Sequence, residues 1–396
     1  MPLFPAASAV SVGDLYALIR DKRMMTRAQA GKLTGLSRTA VSARVRELTA
    51  RDLVIERDQA VSTGGRPPTL LSFNAEAGVV LTAAIGGSRA RLAVCNLAAE
   101  VLAAADIDQA PGLTSEDLMP DVVKRLDLLL ADAGHTARQV FGVGLSLPGT
   151  VDQERGCSVD SPVLSGWDGA PLVPYFRELT AAPVVLDNDA NVIALAEWRG
   201  GAGDFDDVLV IKASTGLGAG IIAGGALQRG ATRAAGEFGH NKAAAAVGRV
   251  CRCGDTGCLE TVAGGWALVR MLREEGRDVW NLRDVVEAAH GGDTLARRLI
   301  RDSGRHVGEV LAAAVNLLNP AALVVAGDVA GAYDFFVAGL RETLYGNATT
   351  LATRTLQVVP SAFGDRAGVI GSAMMVLDRV LGPEAIDVLV ARTADR

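Results

Sequence analysis

The stretch VVLTAAIGGSRARLAVC, residues 79–95, decides how the body of the chain is read. A β-like run, Val79 to Ile85, enters a Gly86-Gly87 turn, and a second apolar run, Leu92 to Cys95, returns from it. That pattern predicts a hairpin. The device recurs at 208–223, where Val208–Ile211, the turn Ser214-Thr215-Gly216-Leu217-Gly218 and Gly220–Ala223 predict another. Further strand and helix signals follow each one: FGVGLSLPG (141–149) and PVVLDNDAN (183–191) after the first, ALVVAGDVA (322–330) after the second. Alternating strands and helices indicate an α/β body. Two halves that each open on a glycine-turn hairpin indicate a duplicated fold with a cleft between them. Such turns present backbone N–H groups that can cradle phosphate, although glycines serve plain hairpins equally well.

Downstream of the second hairpin, Cys251-Arg252-Cys253-Gly254-Asp255-Thr256-Gly257-Cys258 puts three thiols within eight residues. His240 lies eleven residues upstream. Packed or redox-active cysteines would fit the cluster. Three Cys and one His also complete a closed tetrahedral site, which predicts one structural Zn²⁺ per chain on His240, Cys251, Cys253 and Cys258. Asn188-Asp189 stands at the end of the PVVL strand, where α/β folds place ligand groups. Glu237 and His240 belong to GEFGH, and Glu260 follows Cys258-Leu259. A metal that holds the His240–Cys258 loop would hold Glu237 and Glu260 beside it. A rigid ring of Asn188, Asp189, Glu237, His240 and Glu260 can bind the hydroxyls of a sugar, although any one of these carboxylates taken singly would also fit a solvated surface charge.

The chain has 396 residues, 49% hydrophobic and 21% charged, enough to bury the cores of two or three domains. Five cysteines, three of them clustered, argue against a disulfide framework and for a reduced cytoplasmic protein. No apolar run reaches the ~18 residues of a membrane span, and MPLFPAASAV lacks a basic signal-peptide start, so no membrane partner is expected. The net charge of −6 is unevenly spread. Residues 1–73 hold 11 Lys/Arg and 6 Asp/Glu, a net of +5, which leaves the rest at −11. A basic head on an acidic body gives the two parts different partners.

In that head, Leu15, Leu18 and Ile19 have helical spacing, Thr26 opens a second short helix, and Thr34-Gly35-Leu36 turns the chain. Ser37 is placed to cap a third helix with Val41, Val45 and Leu48 buried. Arg38, Thr39, Ser42 and Arg46 take its opposite face. A plain helical bundle with solvated arginines would share this pattern. Residues 53–57 and 70–73 read as a strand and its return, however, so the whole predicts a winged helix-turn-helix that binds double-stranded DNA. Ser37, Arg38, Thr39, Ser42 and Arg46 are its candidate contacts. Between the strands, Gly64-Gly65-Arg66 either carries Arg66 into a minor groove or is a simple linker.

GEFGH followed by CRCGDTGCLE, with LDNDAN and STGLGAG upstream, resembles the ROK family of bacterial sugar kinases and sugar-responsive repressors. The head ending in GGRPP is similar to that of the repressor branch, so the resemblance spans essentially the whole chain. It implies an N-terminal winged helix-turn-helix and linker (1–73) and a two-lobed actin-like, or hexokinase-like, domain. The lobes would be 74–190 and 191–366, the second with the zinc loop, and a helix at about 367–396 would return to the first. It also implies a sugar in the cleft and a homodimer or homotetramer. Asn188, Asp189, Glu237, His240 and Glu260 would contact the sugar, with Asp189 at the kinases' catalytic-base position and His240 bridging sugar and metal. Family kinases open with an Asp-x-Gly-Gly/Ala-Thr type hairpin whose Asp organises Mg²⁺–ATP. Here Ala84 stands in that Asp's place, and Asp328 stands where a glycine usually borders the adenosine pocket. Loss of the metal-organising carboxylate should be severe for phosphoryl transfer. The expected function is a non-enzymatic, sugar-responsive transcriptional regulator, a repressor controlling carbohydrate-metabolism genes. A sugar kinase with an appended head is the rival. A regulator answering to a partner protein would have no use for the intact ring of polar residues.

Overall fold

The computed structural model describes residues 10–58, 69–110, 112–164 and 166–391. The chain begins with α1 (Val12–Lys22), β1 (Met24–Thr26), α2 (Arg27–Thr34), α3 (Arg38–Thr49), β2 (Val54–Asp58) and β3 (Thr69–Phe73). Local chemistry marks the helix starts. Ser11 and Asp14 form one reciprocal capping box and Thr26 and Gln29 another. Ser37 Oγ accepts the Ala40 amide to cap α3. Gly35, at φ 75°, ends α2 and turns the chain into α3. Val41, Val45 and Leu48 are fully buried, as their spacing predicts. β2 and β3 pair antiparallel from Val54↔Phe73 to Asp58↔Thr69 and form the wing, to which β1 adds a third strand the sequence reading did not contain.

The first lobe holds β4 (Val79–Ile85), β5 (Arg89–Asn96), β6 (Val101–Asp108), α4 (Ser115–Asp132), β7 (Val140–Leu147), a ribbon of β8 (Thr150–Asp152) and β9 (Cys157–Asp160), and β10 (Val184–Asn188). Its sheet order is β10-β7-β4-β5-β6. After α5 (Asp189–Gly200) comes β11 (Val208–Ala213), β12 (Leu217–Ala223) and β13 (Ala226–Leu227). The helices α6 (Glu260–Ala263), α7 (Gly265–Glu274), α8 (Leu282–His290) and α9 (Thr294–Leu318) lead to β14 (Ala322–Ala326). Then follow α10 (Tyr333–Asn347), α11 (Thr350–Thr353), β15 (Gln357–Pro360), α12 (Ala367–Val380) and α13 (Pro383–Ala391). The second sheet runs β13-β12-β11-β14-β15.

The two sheets have one topology. In each, three strands form an antiparallel meander and the fourth and fifth add in parallel beside the first. Alternate residues bury on opposite faces, which is why the strands read as continuous apolar runs. Val79, Leu81, Leu92 and Val94 pack with α4, Trp167 and Phe176, while Val80, Ala93 and Cys95 face the other way. This is a winged helix-turn-helix followed by a two-lobed actin-like domain.

The segment from 367 differs from the single returning helix of the sequence reading. α12 lies on β4 and β7 and against α5, but the helix is interrupted at Leu381-Gly382, and α13 packs on α1 of the head. The Gly13 amide donates to Asp387 Oδ1 at 2.8 Å, and Arg51 donates to the Val390 carbonyl at 2.6 Å. A methyl group on Gly13 would stand 1.9 Å from the Pro383 carbonyl oxygen, so only glycine permits this approach. Leu15 and Tyr16 of the head, Val80 of the first sheet, Val192 of α5, Val376 of α12 and Ile386 of α13 belong to one apolar cluster.

Candidate functional site: a polar cleft beside a Cys/His cluster

All five residues expected to form the ring line one cleft between the lobes. Asn188 ends β10 and caps α5. Its Oδ1 accepts from the amides of Ala190 (2.9 Å) and Asn191 (3.2 Å), and its Nδ2 donates to the Gly149 carbonyl (3.0 Å). That turn sends Asp189 into the cleft, where Lys212 Nζ on β11 donates to its Oδ2 at 2.6 Å. Asp187 faces Arg229 (2.7 Å) and Asn191 (3.1 Å) instead.

The second lobe supplies the other side. Glu237 and His240 flank the short turn Phe238–His240, with His240 Nε2 3.7 Å from Glu237 Oε2. Glu260 opens α6 and is only 3% exposed. Three donors hold it, each at 2.9 Å: the Leu217 amide of the second glycine turn, Arg252 of the cysteine loop and Trp266 Nε1. Arg252 also stacks over Trp266, 5.0 Å from the ring centre. The Ser146 hydroxyl, buried among the cleft-lining residues, has no hydrogen-bond partner among the described residues. A ligand hydroxyl or a water would satisfy it.

The cluster of His240, Cys251, Cys253 and Cys258 brings its four ligand atoms within 4.8 Å of one another. The Sγ atoms of Cys253 and Cys258 are 3.8 Å apart, as are Cys251 Sγ and His240 Nδ1. Thiolates about 2.3 Å from a tetrahedral ion would be about 3.8 Å apart, so these residues fit a metal ion. His240 thus turns Nδ1 to the thiols and Nε2 toward Glu237. Lys242 Nζ, 3.5 Å from Cys258 Sγ, braces the loop through Asp255 and the Thr256 carbonyl.

The far end of the cleft is cross-linked by charge. Arg89 and Arg91 of the first hairpin share Asp106, and they reach the second sheet's side through Asp328 (3.5 Å) and Asp365 (2.5 Å) respectively. The hydrogen bond from Arg91 holds the Asp106 carboxyl below the usual carboxylate range. The two glycine turns meet here: a methyl group on Gly87 would lie 2.7 Å from Val163 Cγ1 and 3.1 Å from Thr215 Cγ2. Ala84 lines this end. Lys212, Arg89, Arg91 and Arg252 all escaped the sequence reading. Only Arg252, between two of the clustered cysteines, lay in a motif that could have drawn attention to it.

On the head, Arg38, Thr39 and Arg46 of α3 are exposed, Ser42 is half-buried, and the exposed Ser37 spends its hydroxyl on the cap. Arg27 is bound to Glu56 and Arg44 to the Val10 carbonyl, whereas Arg38 and Arg46 have no ion-pair partner among the described residues. Arg66 lies outside the described residues. No helix among them is long and apolar enough to cross a membrane.

The chain is 31% identical over 377 residues to a putative xylose repressor of Caldicellulosiruptor sp. (strain Rt8B.4), covering 92% of this chain and 94% of that one. A solved ROK family transcriptional regulator, a homologue of the E. coli MLC protein, superposes with a TM-score of 0.77 at 26% identity over 96% of this chain and 98% of the other. A ROK family glucokinase from Streptomyces griseus, solved with glucose and AMPPNP, gives 0.64 at 31% identity and covers 99% of the kinase but 75% of this chain. The ROK family model itself matches residues 80–379, and with that match the chain belongs to the ROK family.

Proposed function

We propose that the protein is a sugar-responsive DNA-binding transcriptional regulator, acting as a repressor of carbohydrate-metabolism genes in the cytoplasm. One observation carries the proposal: the head and the cleft are built on the same helix pair. α5 starts at Asp189 in the cleft and ends near Arg199, which grips Asp378 of α12 through two hydrogen bonds of 2.8 and 2.7 Å. Asp378 also lies 3.7 Å from Arg20 of α1. A ligand that moves the lobes moves the base on which α3 stands. By linkage, sugar and DNA then alter each other's affinity by the same factor. The relatives named as repressors support the reading. Asn188, Asp189, Glu237, His240 and Glu260 would take the sugar hydroxyls. One structural Zn²⁺ on His240, Cys251, Cys253 and Cys258 would hold their loop. Ser37, Arg38, Thr39, Ser42 and Arg46 would face the DNA, with Arg66 near the wing, and a homodimer or homotetramer would set two heads on a pseudo-palindromic operator.

Likeness to kinases keeps a second reading in view, an ATP-dependent sugar kinase with an appended head. Ala84 in place of the phosphate-site Asp weighs against it. The test is a salt titration of binding to fragments from the protein's genomic neighbourhood, with and without monosaccharides, beside an assay of sugar-dependent ADP release. Sequence-selective binding that a sugar alters supports the regulator. Absence of sequence preference, or robust ADP release abolished by Asp189→Asn, overturns it.

A further inference from the structure

We infer that the cleft takes an uncharged sugar and rejects phosphorylated sugars and nucleotides. This rests on the sugar-cleft reading and narrows it to one ligand class. The side chains lining the cleft include three cations, Arg89, Arg91 and Lys212, against five carboxylates, Asp189, Glu237, Glu260, Asp328 and Asp365. All three cations are already committed. Lys212 holds Asp189 at 2.6 Å. Arg89 lies between Asp106 and Asp328, and Arg91 between Asp106 and Asp365. Of the further arginines, Arg229 is spent on Asp187 and Arg252 on Glu260.

A phosphomonoester brings about −1.5 to −2 charges at neutral pH. It would have to displace a carboxylate from an arginine or sit unpaired among acids, and like charges at such range are strongly unfavourable. Two amides of the glycine turns are also spent within their own hairpins, Gly86 on the Arg89 carbonyl and Ser214 on the Gly216 carbonyl. The ring end has the opposite character. Carboxylate acceptors at Asp189 and Glu237 and the His240 imidazole suit groups that both donate and accept, which is what a sugar hydroxyl does.

The test is calorimetric titration of the full, metal-replete chain with D-xylose, D-glucose and N-acetyl-D-glucosamine, with the phosphate monoester of each, and with Mg²⁺–AMPPNP. Operator binding is followed in parallel. At least one neutral sugar is expected to bind, with its phosphate ester roughly ten-fold weaker or worse and no AMPPNP uptake. Asp365→Asn, and separately Asp328→Asn, should narrow the gap several-fold by releasing an arginine, with the neutral sugar held within about two-fold. Because Asp365 is largely exposed, its variant is the one expected to fold without difficulty. A phosphate ester that binds as tightly as its parent sugar overturns the inference but leaves the sugar-regulator reading standing, as does a gap that neither variant moves. Failure of every sugar and ester, with operator binding intact, overturns both the inference and the sugar reading.

Discussion

The two lobes share a strand order and differ in what covers them. The first turns one face of its sheet to α12 and, through the same apolar cluster, to the head. The second carries the Cys/His loop and three of the five ring residues, and its core is closed by α7–α10 with no residue of the head. The first lobe anchors the head and the second carries most of the candidate ring, with the cleft between them. The two share one sheet topology, and they differ in loops and added helices, which bring in residues such as Arg252 and Asp387.

The largest effect expected of any single change breaks the sensor alone. Cys253→Ser should cost most of the metal affinity, since structural zinc sites are worth on the order of 10 kcal/mol to their domains. It should also weaken sugar binding, because Arg252 and Glu260 lose their support. Metal analysis and titration would reveal it, and full metal content in the variant would refute the ligand set. Operator binding without sugar should survive, which keeps the damage to one lobe.

Next comes a cut on the anchor side. Leu15→Ala removes a fully buried side chain from the shared cluster and should destabilise the protein by about 2–5 kcal/mol. Because the described apolar residues of the head share one cluster with the first sheet, α12 and α13, denaturant should melt head and first lobe in one transition. Two resolved transitions would mean that the head folds alone.

Arg38→Ala or Arg46→Ala should leave stability untouched and lower operator affinity roughly ten-fold, the size of about 1–3 kcal/mol for a good base contact. Equal loss on random DNA would move the contact from base to phosphate. The smallest effect sharpens the comparison most. Asp378→Asn should change stability by less than about 1 kcal/mol, as exposed ion pairs do. Yet it should dull the change in operator affinity that sugar produces, while sugar and operator each bind as before. An undiminished response would remove Asp378 from the route between the lobes and the head.

What could be read from the sequence follows the range of the interaction. Ser37 caps, Gly35 turns and Val41, Val45 and Leu48 bury because neighbours within one or two helical turns decide it. The Cys251–Cys258 loop was legible for the same reason. β1, three residues long, exists only because β3, more than forty residues away, offers it a partner. Lys212 and Asp189 meet across 23 residues and Arg89 and Asp328 across 239, and no local pattern announces either pair. The docking of α13 on the head belongs with them, since amphipathic spacing says that a helix needs a partner and not which one.

That docking bears on how such regulators could be rebuilt. The boundary near residue 73 looks like a natural place to exchange one DNA-reading head for another and so redirect a sensor to new genes. A head transplanted there would arrive incomplete, because Pro383–Ala391, encoded more than 300 residues later, forms part of its floor. The functional cassette is discontinuous in the gene: a working chimera would carry both segments from the same parent, and a foreign first helix without glycine at position 13 would collide with the resident tail.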